Sequence, residues 1–268
     1  MFGALVWNGF KDPALLIPGK EFTEFSTKYI QDHPILPMLF VTIACGIISG
    51  FHATQSPIIA RTMKSEREAK SNFYGMMILE GIIAMIWAAG GLAIYNMFPE
   101  MLQQDTTKTL VKITNTFLGS WGGKFTVLAV IVLAITSGDT AMRSLRLSAA
   151  EAFNIEQIKL KNRILLCLPL ILIVSLLLWW SNKDAQSFNH LWNYFSWGNQ
   201  VLAASTLMAA TSWLVARKKN CLPTLVPGVF MCFIVITYIA WISPAHKGPY
   251  GFGLPLYVAY AIAVLGSI

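Results

Sequence analysis

Apolar residues run through this chain in long blocks and not in alternation. Six stretches, near 35–60, 72–98, 122–147, 163–181, 188–216 and 223–243, are predominantly apolar and separated by short polar links, and a seventh begins at Leu254 and reaches Ile268. Crossing a hydrocarbon layer of about 30 Å takes about 20 helical residues, so the six are long enough and the stretch 254–268 is too short. Membrane β-strands would instead show segments of about ten residues with alternating polarity. Arg163 to Trp180, RILLCLPLILIVSLLLWW, shows none. The pattern predicts an all-α, polytopic helical membrane protein, a single integral membrane domain over 1–268.

Composition supports this: 55% of residues are hydrophobic and 12% charged, and the mean hydropathy of +0.57 lies outside the range of soluble chains. The net charge of +7 is sorted along the chain. Arg61, Lys64, Arg67 and Lys70 fill one link, Arg143, Arg146, Lys159, Lys161 and Arg163 another, and Arg217, Lys218 and Lys219 a third. These are alternate links, as expected where short basic loops stay in the cytoplasm. The N-terminus is then outside, and the excess charge reads as topology, with the lipid bilayer as partner and no nucleic acid. Residues 1–34 carry neither a basic leader region nor a small-residue cleavage site. The expectation is that 1–268 is an interior or C-terminal portion of a larger polytopic protein, or a shortened member of its family. Cys45, Cys167, Cys221 and Cys232 have no metal-ligand or redox spacing and read as small buried hydrophobes. No metal or other cofactor is expected. Two short amphipathic stretches, 21–30 and 109–118, are expected to lie on the outer surface or dip partway into the membrane.

Two spans are abnormal. Ile35 to Ala60 would form a helix of about 39 Å, and it contains GFHATQSP, Gly50 to Pro57. Proline lacks an amide donor and clashes with the carbonyl four residues back, so a break or kink is expected there. His52, Thr54, Gln55 and Ser56 lie in the same stretch, as groups that satisfy freed backbone or bind a solute. The third span is expected to break at TSGDT, Thr136 to Thr140, about 18 Å from Phe125 and short of a full crossing. Asp139 and Arg143 are four residues apart, acid first, the favourable order for pairing on a helix. Asp139 is equally suited to capping a half-helix.

Glu80 lies in NFYGMMILEGIIAMIWAAGG, with Ala84, Ala88 and Gly91 extending its face as a stripe of small residues. Such a stripe suits close helix packing and turns Glu80 toward protein, where a carboxyl takes up a proton readily or serves as a structural hydrogen-bonding group. Asn199 and Gln200 sit inside an apolar run beside Gly198, where amides either join helices or line a pathway.

SGFHATQSPIIARTMKSE (49–66), the Glu80 span after it, TSGDTAMRSLRLSAAEAF (136–153) and WGNQVLAA (197–204) resemble the carbon starvation protein A family of bacterial inner-membrane transporters, over about residues 35–243. The resemblance implies a secondary transporter with interrupted transmembrane helices. It implies uptake of small nutrients, peptides or pyruvate-like carboxylates, driven by protons. Glu80 and Asp139 are then candidates for the coupling proton. His52, Thr54, Gln55, Ser56, Arg143, Asn199 and Gln200 become candidates for a substrate pathway. A non-transporting sensor or assembly subunit is the alternative. An intramembrane enzyme using His52, Glu80 and Asp139 has no supporting metal spacing and no nucleophile beside a histidine.

Overall fold

The computed structural model describes residues 2–32, 34–38, 50–100, 106–244 and 250–267. Among them the secondary structure is helical with no strand. Among the described residues four helical stretches are long and apolar enough to cross a membrane: Glu66–Met97, Lys108–Ala152, Leu160–Ser181 and Leu222–Trp241. This is an all-α polytopic membrane fold. The chain separates into two compact units, Met1–Asp32 with Ser65–Asp139, and His33–Lys64 with Thr140–Ile268.

In the first unit, α1 (Phe2–Lys11) leads into a 3-10 turn at Pro13–Leu16 and then α2 (Lys20–Asp32). The turn is started by Asp12, whose carboxylate accepts from the amide of Ala14 at 3.1 Å. A π-helical turn, Lys70–Gly75, precedes α4 (Met76–Met97). The core gathers Leu5, Ala93, Ile94, Ile113 and Phe117. Ile113 and Phe117 come from the amphipathic stretch 109–118, which packs its apolar face inward. Asn96 ties the unit together: its side-chain oxygen accepts from the amide of Gly19 at 2.8 Å, and its nitrogen donates to the carbonyls of Ala14, Leu15 and Ile17. The polar backbone of the 14–19 segment thereby finds partners against an otherwise apolar helix end.

The second unit holds α3 (Gly50–Thr62), the end of α5 (Thr106–Ala152), α6 (Leu160–Ser181), α7 (Ala185–Ala216), α8 (Leu222–Trp241) and α9 (Leu256–Ser267). Asp184 caps α7 by accepting from the amide of Ser187 at 2.6 Å. Helices α7 and α8 are antiparallel. Trp197 Nε1 donates to the Val235 carbonyl at 3.1 Å near one end, and Thr211 bonds Thr224 at 2.8 Å near the other. Ile234, Tyr238, Trp241 and Ile242 form a buried core with Ala259 of α9, and Phe233 stacks on Tyr260 at 5.8 Å. Helix α6 leaves Leu165, Leu168, Leu172 and Leu176 more than half exposed, as a lipid-facing helix does.

Three expectations change. The helix does not break at TSGDT: α5 is regular through Thr136–Thr140, and its one non-helical residue is Gly119, at φ 69 and ψ 178. Threonine, serine and aspartate are cap-forming residues, but here Thr136 Oγ donates back to the Leu133 carbonyl at 2.9 Å and stays within the helix. Of the break or kink expected at Pro57, the break does not occur, since α3 continues to Thr62; the part of that expected span at 39–49, with Cys45, lies outside the described residues. The stripe on α4 does not face the packed side. Ala84 and Ala88 are exposed, nothing lies within 4 Å of a β-carbon built on Gly91, and the buried side runs through Gly90, Ala93 and Ile94. Packing followed the larger Ile94 surface, which buries more apolar area than the alanines could.

Candidate functional site

The polar residues of α3, α5 and α7 meet in the second unit. Helix α3 is bonded to α7: the amide of Phe51 donates to Asn199 Oδ1 at 3.0 Å. Asn199 thereby ties the backbone of α3 to α7 through its side-chain amide. Gly50 allows the approach. A β-carbon there would lie 2.5 Å from the Asn199 carbonyl oxygen and 2.7 Å from Leu202 Cβ.

One turn on, Pro57 deprives the Ala53 carbonyl of the amide that would normally bond it. Ser56 Oγ donates to that carbonyl at 3.4 Å. The next carbonyl, of Thr54, accepts from Ser144 Oγ of α5 at 3.3 Å, and Thr54 Oγ donates to Phe51 O at 2.8 Å. The backbone loosened by proline is thus held by hydroxyls, which explains how the helix survives it.

Beside these bonds a cleft of about 270 Å³ opens between the three helices. Thr54, Pro57 and Arg61 line it from α3, Ser144, Ser148 and Glu151 from α5, and Leu202 and Thr206 from α7. Arg61 and Glu151 carry opposite charge into the same cleft without forming an ion pair among the described residues. A second cleft of about 370 Å³ shares Glu151 and is closed by Glu156 and Gln157. Arg146 donates to Gln157 Oε1 at 2.7 Å and fixes that wall.

Gln200 is the most constrained of the polar residues. It is fully buried, yet neither its side-chain oxygen nor its nitrogen has a hydrogen-bond partner among the described residues. Gln55 Nε2 is likewise buried and unpartnered. An amide left so costs about 1–3 kcal/mol, a penalty natural folds rarely carry without use.

The structure brings Thr54, Ser56 and Asn199 into one bonded seam and puts Gln55 and Gln200 on the same two helices. His52 is half-buried on α3. Arg143 is exposed on α5. Glu80, half-buried on α4, and Asp139, exposed on α5, belong to the first unit. Sequence reading missed Arg61, Ser144, Ser148, Glu151 and Thr206. The signal was present: Ser144, Ser148 and Glu151 recur at four and three residues, one face of a helix. Among the described residues no three His, Cys, Asp or Glu side chains gather as a metal site.

Comparison with known proteins decides the family. The family of the carbon starvation protein CstA matches residues 9–116 and 100–240. The chain belongs to the CstA family. Over 72 residues it is 54% identical to an uncharacterized membrane protein of Haemophilus influenzae, covering 27% of this chain and 19% of that one. It is 31% identical over 155 residues to the peptide transporter CstA of Campylobacter jejuni, 53% of this chain and 21% of the relative. With the pyruvate/proton symporter BtsT of Escherichia coli it shares 40% identity over 76 residues, 28% of this chain and 11% of the relative. The chain therefore spans about a fifth or less of these relatives. No solved structure matches. CstA membership and the four crossing-length helices make this a multi-pass membrane protein.

Proposed function

We propose that this CstA-family chain serves proton-coupled uptake of small nutrients across the bacterial inner membrane, with peptides or pyruvate-like carboxylates as substrates, in the response to carbon starvation. The observation that carries the reading is the buried, unpartnered amide of Gln200, one residue from the Asn199 that holds α3. A solute passing along α3 and α7 supplies the partners that are absent among the described residues. Support for the substrates comes from the relatives, a peptide transporter and a pyruvate/proton symporter.

In this reading Glu80 or Asp139 takes the coupling proton, because an ionisable carboxyl in a membrane segment is costly unless it serves a pathway. His52, Thr54, Gln55, Ser56, Asn199 and Gln200 line the substrate route. Arg143 neutralises Asp139 or draws in an anionic substrate. The cleft carrying Arg61 and Glu151 forms one end of that route.

Proteoliposomes with an imposed pH gradient test this. Labelled dipeptide or labelled pyruvate accumulates in the native protein and leaks away when an ionophore collapses the gradient. Glu80→Gln with Asp139→Asn abolishes gradient-driven accumulation; unchanged accumulation removes the proton assignment. No flux at all, with a ligand-dependent change in a bound partner protein, favours a sensor or assembly subunit instead.

A further inference from the structure

We propose that the turn closing α7 is a headgroup site for an anionic phospholipid. This stands apart from the transport route, since it uses none of its residues. Arg217, Lys218 and Lys219 follow one another at the end of the helix and are all exposed. None of the three has an ion-pair partner among the described residues.

Their arrangement is fixed. Lys219 donates its amide to the Leu214 carbonyl at 2.9 Å and Lys218 to Val215 at 2.9 Å, the paired bonds that end a helix in a left-handed residue. That residue is Lys218, at φ 55, where glycine fits without strain and is the usual occupant. A lysine there complements the negative end of the helix dipole and keeps its ammonium in solvent, free for an external anion. The Arg217 guanidinium lies 4.5 Å from the centre of the Trp213 ring and the Lys219 ammonium 6.0 Å from it. Two cations therefore share one indole, with the Lys218 charge between them in the chain.

The apolar surroundings select a lipid over a free anion. Trp213, Val215, Leu222 and Val226 are each more than half exposed, and they flank the charged turn on both helices. Acyl chains match that surface, and a negative headgroup matches the turn. Tryptophan with lysine and arginine is the side-chain set that settles at the membrane interface, and anionic lipid attracts such basic clusters.

The test uses the full chain in nanodiscs of mixed phosphatidylglycerol and phosphatidylcholine, with retained lipid read by native mass spectrometry. The native protein retains phosphatidylglycerol preferentially. Each cation removed in Arg217→Gln, Lys218→Gln and Lys219→Gln lowers that preference about fivefold. Lys159→Gln and Lys161→Gln, each removing one charge elsewhere, leave it unchanged. A second measurement needs no charge variant: brominated phosphatidylglycerol quenches the fluorescence lost in Trp213→Phe, and brominated phosphatidylcholine does so much less. The proposal is overturned if the Lys159 and Lys161 changes act as strongly, if both brominated lipids quench alike, or if inorganic phosphate displaces the retained lipid.

Discussion

Asn199 and Phe51 are joined across two helices, the backbone amide of Phe51 donating to Asn199 Oδ1 at 3.0 Å. That bond exists because Gly50 lets α3 come within contact of the Asn199 carbonyl and Leu202. Gly50→Ala has to push the two helices apart, and overpacking of this kind costs about 1–3 kcal/mol. A lower thermal unfolding midpoint in detergent is expected. Asn199→Ala loses about 1 kcal/mol with this hydrogen bond. A Gly50→Ala protein as stable as the native one contradicts this crossing.

Gln200 separates a functional amide from a structural one. Gln200→Leu removes two buried groups that have no partner among the described residues, so stability should hold or rise by about 1–3 kcal/mol. Uptake should nevertheless fall by about tenfold, the equivalent of about 1.4 kcal/mol of lost interaction with the solute. Stability and uptake falling together would mark Gln200 as ordinary packing.

Arg61 and Glu151 line one cleft without pairing. Arg61→Gln and Glu151→Gln should each reduce uptake, measured in proteoliposomes, with little change in unfolding midpoint, because exposed charges contribute less than about 1 kcal/mol. The exchange Arg61→Glu with Glu151→Arg should not restore transport. Full restoration would show that the two need only each other.

Gly119 divides α5 at φ 69 and ψ 178, a conformation essentially reserved for glycine. Gly119→Ala should destabilise the first unit by about 1–3 kcal/mol even though a β-carbon there has open space around it. Circular dichroism during heating checks it; a neutral result would place the bend elsewhere.

Helix type was legible because uninterrupted apolar runs such as Arg163 to Trp180 leave no room for alternation. Where helices bend was not. TSGDT has the residues of a helix start, but the Thr136 hydroxyl turns back onto Leu133, and a local motif cannot reveal which of two competing bonds forms. Gly119 looked like one glycine among several: Gly119, Gly122 and Gly123 stand close together in the sequence, and of these only Gly119 takes a positive φ. The seam suffered less: Thr54, Ser56 and Asn199 drew notice as polar groups in apolar surroundings. Ser144 and Glu151 did not, because serines and a glutamate near a basic link read as an ordinary wet helix end.

Asn96 has a kinetic consequence. Its amide joins the last turn of α4 to the segment 14–19 at four backbone positions, so neither can detach without stripping the other of its bonds. In deuterium exchange the Gly19 amide should therefore open in step with the end of α4, as one cooperative element, and Asn96→Ala should uncouple the two.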